Sequence, residues 1–314
     1  MMGRLASLWL LAACVAAAQG PLQGPVFRGG ADNVPVFVTV TDKSGRLVPD
    51  LTRANFQMLD NGKTQPVTLF DNSPQPIRLI VMLDVSGSMS GNLSLLRAAC
   101  EQLVAHLGPG DLARVGTFGE RIDISPAFTQ HAAELIAALP DVIPRNAPTP
   151  LWNAIDRAIG EFGTADGRRV VLVMSDGKDS GPRWGQHWVS QPDVADRAQR
   201  EDVMIYAIGL QSRGPMPVGP GSGNLRDMMT ANLVDPGLGT TALETGGGYF
   251  EIRPREDLGA AFTRVADELH HQYLLGFAPP SRDGNAHKIE VRIDRKDLKP
   301  RARKTYRAPV AGRS

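Results

Sequence analysis

Ile77-Arg78-Leu79-Ile80-Val81-Met82-Leu83-Asp84-Val85-Ser86-Gly87-Ser88-Met89-Ser90 is the stretch of this 314-residue chain whose reading decides the fold. Its first half is an apolar run broken only by Arg78 and closed by a carboxylate, the pattern of a parallel strand covered on both faces. Ser86 and Ser88 then alternate with Val85 and Gly87 before a polar helix start. In an open α/β sheet, ligands bind in the crevice at the carboxyl ends of the strands. Asp84, Ser86 and Ser88 are therefore expected together on one such loop. One carboxylate and two hydroxyls make a hard-oxygen set of low charge, better suited to Mg²⁺ than to zinc or copper. A plainer account also fits these residues: Asp84 caps the following helix and the serines make a turn.

Two further stretches bear on that choice. Ala147-Pro148-Thr149-Pro150-Leu151-Trp152-Asn153-Ala154-Ile155 sets a threonine in a loop just before an amphipathic helix. Arg169-Val170-Val171-Leu172-Val173-Met174-Ser175-Asp176-Gly177 is a second buried-strand pattern, ending in Asp-Gly. These three elements, in this order, resemble the von Willebrand factor type A (VWA) domain with a complete metal-ion-dependent adhesion site (MIDAS). The resemblance maps onto Asp84, Ser86, Ser88, Thr149 and Asp176. It implies a doubly wound, mostly parallel α/β sheet and a bound Mg²⁺, with Mn²⁺ or Ca²⁺ as alternatives. It further implies that Ser86 and Ser88 coordinate directly, that Thr149 joins in the ligand-bound state, and that Asp84 and Asp176 often act through water. An Asp or Glu of a partner protein would fill the open position, which makes the chain a binding module and not an enzyme.

Outward from this centre, charge gives little direction. The 34 Lys+Arg nearly cancel 33 Asp+Glu, so no global field argues for nucleic acid or a membrane surface. Aromatics are 6% of residues, which weakens base stacking as well. Residues 1–18 read as an export signal, with Arg4, an apolar core from Leu5 to Val15, and Ala16-Ala17-Ala18 as the cleavage site. Leu11-Ala12-Ala13-Cys14 also resembles a bacterial lipobox, which would anchor the chain by lipid on Cys14. The core before Cys14 would then be very short, and simple export is preferred. The protein is accordingly expected to be secreted or periplasmic, with an extracytoplasmic partner. No stretch reaches the roughly 18 to 20 apolar residues of a membrane-spanning helix. After export Cys100 is the only cysteine, expected as a buried thiol.

The flanks read as β-structure. Residues 19–33 are rich in Gly and Pro and read as a flexible linker. Residues 34–42 alternate at period two, Phe56-Gln57-Met58-Leu59-Asp60 leads into the hairpin signal Asn61-Gly62, and residues 65–70 complete a meander. So few strands need a partner sheet. Tyr273-Leu274-Leu275-Gly276-Phe277, His287-Lys288-Ile289-Glu290-Val291-Arg292-Ile293 and a polar edge strand over 301–307 supply one. Residues 34–75 and 272–309 are thus expected to join as a small β-sandwich, with the A-type domain, 76–271, inserted between its halves and 310–314 as a tail. These flanks also resemble a bacterial family of secreted A-domain-related proteins, through Val-x-Val-x-Val-x-Asp near the start and Tyr-x-Leu-Gly-Phe with His-Lys-Ile-x-Val near the end.

Between the flanks, strand and helix alternate. Helices are expected from Leu93 to Leu107 and over 132–139, 151–162, 194–202 and 254–271. Strands are expected over 112–118, 122–128 (paired as an edge hairpin), 203–210 and 248–252. The Gly/Pro-rich stretch 211–223, followed by a more helical segment over 225–229, is either a disordered insertion or a recognition loop on the metal side. Trp184 and Trp188, in the loop after Asp176, are either partner contacts or tucked under the loop. His270, His271 and His287 lack metal-ligand spacing, and helix-end solvation accounts for them better. No Gly-x-Ser-x-Gly surrounds Ser86 or Ser88. Two alternatives stay open: a metal-assisted hydrolase using the same site, for which no general base is evident, and a structural scaffold with an idle metal site.

Overall fold

The computed structural model describes residues 33–163, 167–181, 187–211, 234–253 and 256–310. The expectations placed on residues 1–32, on Trp184, on the insertion between 212 and 233, on Pro254 and on 311–314 lie outside these described residues.

The chain begins with β-structure, because residues 34–41 place every second side chain on one face. In β1 (Val34–Thr41), Val34, Val36, Val38 and Val40 are all buried. Strands β2 (Phe56–Asp60) and β3 (Lys63–Gln65) form a hairpin across Asn61 and Gly62, whose φ angles of +47° and +80° are those the tight turn needs. Pro66 follows, and the chain crosses to the other sheet as β4 (Leu69–Asp71). The expected meander over 65–70 is therefore a hairpin followed by a sheet change, since Pro66 lacks the N–H that would continue the ladder.

The middle of the chain builds a six-stranded sheet. Its strands are β5 (Ile77–Asp84), β6 (Leu112–Phe118), β7 (Ile122–Ile124), β8 (Arg168–Ser175), β9 (Val203–Leu210) and β10 (Tyr249–Ile252), in the order β10-β9-β8-β5-β6-β7. All pairs are parallel except the short edge hairpin of β6 and β7. Six helices cover it among the described residues: α1 (Leu93–Ala105), α2 (Ala132–Ala137), α3 (Leu151–Gly160), α4 (Gln191–Arg200), α5 (Pro236–Thr245) and α6 (Leu258–His270). Leu79, Val81 and Leu83 pack with Leu96, Cys100 and Leu103 of α1 and Phe262 and Val265 of α6. Ile80 and Met82 face the opposite core, with Leu151, Ile155 and Ile159 of α3 and Val194 of α4. This two-sided burial is what the continuous apolar run demands. Cys100 is buried as expected, and burial pushes its thiol up to about 12.

Strands β11 (Tyr273–Phe277), β12 (Ala286–Ile293), β13 (Lys299–Arg301) and β14 (Thr305–Arg307) complete two antiparallel sheets, ordered β13-β1-β11-β4 and β14-β12-β2-β3. Each sheet mixes strands from both flanks, and one core joins Val36, Val38, Met58, Tyr273, Leu275, Ile289 and Tyr306. The expected edge strand over 301–307 is two short edges, one in each sheet. Nor is its Arg-rich run fully solvated. Arg301 pairs with buried Glu268, and Arg303 with Asp202 at 2.6 Å, leaving side-chain exposures of 24% and 13%.

Other boundaries shift for local reasons. Helix α4 starts at Gln191 because Ser190 and Asp193 form a capping box. Helix α6 starts at Leu258, where Asp257 accepts from Gly259 N at 2.8 Å. Helix α5 went unforeseen, since Gly237, Gly239 and three threonines disfavour a helix. Its signals were the cap-and-proline pair Asp235-Pro236 and the left-handed stop at Gly246, φ +86°. His287 lies on β12 between two carboxylates, and His270 bonds Asp111 Oδ2 at 2.7 Å. Helix-end solvation therefore describes neither, while His271 is exposed at the end of α6.

The sandwich sits at the amino ends of the central strands. The two short connections, Asp71 to Ile77 and His270 to Tyr273, leave from β4 and β11, which pair with each other. The junction is polar. Gln272 Nε2 donates to Thr39 Oγ1 at 2.6 Å and to Tyr206 OH at 3.1 Å, while Arg168 donates to Gln272 Oε1 and to Leu269 O. No helix among the described residues is long and apolar enough to cross a membrane.

Candidate metal centre

The opposite pole holds the candidate site. From β5 the chain proceeds outward to β6, while from β8 it proceeds the other way to β9, so the switch point falls between β5 and β8. Asp84 ends β5 and Asp176 directly follows β8. The crevice therefore opens between the two carboxylates.

Asp84 is fully buried and held by two donors: Ser86 N to Oδ1 at 2.8 Å and Ser175 Oγ to Oδ2 at 2.5 Å. It does not cap α1, whose N-cap is Asn92, so the plainer account of Asp84 fails. The serines do make a turn, a single 3-10 turn over Gly87–Met89, but their hydroxyls are also engaged with one another and with Asp176. Ser86 Oγ lies 3.0 Å from Ser88 Oγ, and Ser88 Oγ donates to Asp176 Oδ1 at 2.7 Å. Four of the five expected residues thus form one hydrogen-bonded chain.

Thr149 reaches the site through two loop contacts. Gly87 N donates to Ala147 O at 3.1 Å, and a Cβ on Gly87 would come within 1.9 Å of Arg145 O. Only glycine lets the 145–147 loop lie this close. On the other side Thr149 N donates to Ser180 Oγ at 2.8 Å, and Ser180 N returns a bond to Thr149 O at 3.0 Å. Thr149 Oγ1 would lie 3.6 Å from a Cβ on Gly177, the residue after Asp176. The three loops therefore meet at one place.

Burial gives the site its electrostatics. It pushes the Asp84 carboxyl up to about 6, against the opposing bonds from Ser175 and Ser86. Burial raises Asp176 too, although Ser88 bonds it. Among the described residues, Asp176 Oδ2 is buried without a hydrogen-bond partner. An unsatisfied buried carboxylate oxygen is costly, and a cation relieves that cost. Among the described residues no three His, Cys, Asp or Glu side chains gather as a metal cage. The donors here are two carboxylates and three hydroxyls, a hard-oxygen set that suits Mg²⁺ with retained waters.

Sequence reasoning missed the supporting residues. Ser175 orients Asp84, Ser180 holds Thr149, and Asp179 caps α3 by accepting from Leu151 N at 2.9 Å and Trp152 N at 3.4 Å. Ser175-Asp176 and Asp179-Ser180 bracket the strand end, yet nothing in their spacing announces those partners. Trp188 is exposed and bonds Asp179, so it is not tucked under its loop.

Residues 79–178 match the family model of the von Willebrand factor type A domain. The matched residues run from β5 to just past β8, within a mixed α/β architecture that has a mostly parallel central sheet. Among solved structures, it is similar to a von Willebrand factor type A protein from Catenulispora acidiphila, at 12% identity and TM-score 0.47, covering 90% of this chain and 75% of that one. It is also similar to the conserved hypothetical protein BatB from Bacteroides thetaiotaomicron, at 19% identity and TM-score 0.45, covering 62% and 97%. A third is proximal thread matrix protein 1 from the mussel byssus with a zinc-occupied MIDAS motif, at 18% identity and TM-score 0.44, covering 66% and 48%. No curated protein matches the chain.

Proposed function

We propose that this protein is a divalent-metal-dependent binding module. Asp84, Ser86, Ser88, Thr149 and Asp176 hold a Mg²⁺ ion, and the ion receives an Asp or Glu carboxylate from an extracytoplasmic partner in adhesion or assembly. The observation that carries this reading is the unpartnered, buried Asp176 Oδ2 beside the Ser86–Ser88 hydroxyl pair.

The bound ion supplies positive charge at the mouth of the crevice. The chain's own residues set how strongly. Two carboxylates do no more than balance the charge of a divalent ion, so an incoming anion would meet less repulsion than at a site richer in acids. Ser175 and Ser86 N hold Asp84 in place, and Ser88 holds Asp176, so the donors need little rearrangement. The hydroxyls of Ser86, Ser88 and Thr149 give oxygen donors without adding charge. Mn²⁺ and Ca²⁺ meet the same donor chemistry. The apolar-cored leader over residues 1–18 supports export, by simple cleavage or with a lipid on Cys14.

The test is capture of extracytoplasmic proteins by wild type and by Asp84→Ala, each in Mg²⁺ and in EDTA. A partner retained only by wild type in Mg²⁺ is the expected result, and replacing its acidic contact should release it. Equal capture in all four conditions would overturn the proposal and leave the site structural or idle.

A further inference from the structure

Among the described residues, Trp188 is the one aromatic in the set of large apolar side chains left exposed, at 59%. Leaving such a ring in water forfeits about 25 cal/mol for each Å² of apolar surface. The ring is nevertheless fixed. Its Nε1 donates to Asp179 Oδ2 at 3.0 Å. Gly181, at φ +69°, lies close beneath it, where a Cβ would come within 3.3 Å of Trp188 Cδ1. Both chain neighbours are tied to α3: Asn153 Nδ2 donates to His187 O at 2.7 Å, and Val189 N donates to Asn153 Oδ1 at 3.3 Å.

The same supports carry Thr149. Asp179 Oδ1 accepts from Leu151 N, two residues beyond Thr149, while Asp179 Oδ2 holds the indole. Ser180, the next residue, exchanges two hydrogen bonds with the Thr149 backbone. Thr149 and Trp188 therefore belong to one hydrogen-bonded unit, with a hydroxyl at the crevice and an apolar ring face in solvent. A rigid, pre-placed aromatic is the kind of side chain that concentrates binding energy in an interface.

We infer that Trp188 is a second partner contact, so that the recognised epitope pairs its Asp or Glu with a large apolar side chain that covers the indole. This inference rests on the metal-dependent reading above and names the partner chemistry that reading leaves open. An apolar group fits better than a cation. The exposed ring offers apolar surface that only an apolar side chain would remove from water without losing its own hydration, and the Asp179 oxygens are already engaged by three N–H donors.

A displayed library of random peptides, selected on the full chain in Mg²⁺ and counter-screened in EDTA, tests this directly. Synthetic peptides from the EDTA-sensitive clones are titrated against wild type, Trp188→Ala and Trp188→Phe. The expected clones carry Asp or Glu with Leu, Ile, Phe or Trp nearby. Trp188→Ala should weaken them by about tenfold or more, and Trp188→Phe by about threefold at most. Trimming the peptide's apolar residue to Ala should cost affinity for wild type and little further in Trp188→Ala. EDTA-sensitive peptides that bind Trp188→Ala as well as wild type would overturn the role of Trp188 alone. If no clone is EDTA-sensitive, the metal-dependent reading falls and this inference falls with it.

Discussion

Asp84 shows how a single buried carboxylate can work against the fold. Burial holds its carboxyl up near 6, so the folded, metal-free protein binds this proton more tightly than the unfolded chain does. Stability from Asp84 is therefore complete below the ordinary value of 3.8 and is lost as pH rises through about 6. At neutral pH the buried charge costs about 3 kcal/mol, the free-energy equivalent of that rise. Asp84→Asn should raise the denaturation midpoint of the EDTA-treated protein at pH 7.5 and abolish the further rise that Mg²⁺ gives wild type. Urea unfolding with and without the ion measures both effects. Unchanged stabilisation by Mg²⁺ in the variant would show that the ion binds elsewhere. The five candidate residues could be singled out because a strand-end carboxylate, a serine pair and a loop threonine sit in short, readable stretches, and four of them share one hydrogen-bonded chain. Ser175, Asp179 and Ser180 were not, because each acts on a partner 28 or more residues away by a bond that no local pattern encodes.

At the scale of elements, the strands that alternate cleanly were readable and their neighbours were not. The alternation over 287–293 identified β12, but its pairing with β2, more than 220 residues earlier, places His287 where spacing could not. His287 Nδ1 faces Asp60 Oδ1 at 3.0 Å, Nε2 faces Asp283 Oδ2 at 3.2 Å, and Tyr306 OH lies 3.4 Å from Nδ1. Burial works against the charged ring, but the bonds to Asp283 and Asp60 outweigh it and hold the histidine above its ordinary value. A raised histidine contributes stability that is fully present below about 6.5 and is lost as pH rises through its folded value. Thermal unfolding of wild type should therefore weaken on the alkaline side of neutrality, and His287→Gln should be less stable at pH 6 with a flatter profile above it. A parallel profile for the two proteins would contradict the pairing. Helix α5 illustrates the opposite limit. Its glycines and threonines suppress the periodic signal, and its caps together with the burial of Leu238 and Ala242 hold it in place.

The central strands separate two features, the sandwich at their amino ends and the candidate site at their carboxyl ends. That the flanks would join was legible, since neither set of strands can bury its apolar face alone. The polar junction was not legible, because Thr39, Arg168, Tyr206, Glu268, Gln272 and Arg301 come from five separate stretches. Glu268 is almost wholly buried and pairs with Arg301 and Tyr206 OH. Glu268→Ala leaves Arg301 uncompensated there and should destabilise the protein by about 3 to 5 kcal/mol. Calorimetry should show one transition shifted downward. An unshifted transition would mean that the junction contributes no net stability. Because the junction lies far from the crevice, ion binding by the folded variant should match wild type.

Counting bound Mn²⁺ by electron paramagnetic resonance, with Mn²⁺ as a stand-in for Mg²⁺, tests the central claim most directly. The account predicts one tightly held ion per chain in wild type, displaced by excess Mg²⁺, and none in the Ser86→Ala/Ser88→Ala double variant. Equal Mn²⁺ binding by wild type and the double variant would contradict it, as would a wild-type chain that holds no ion.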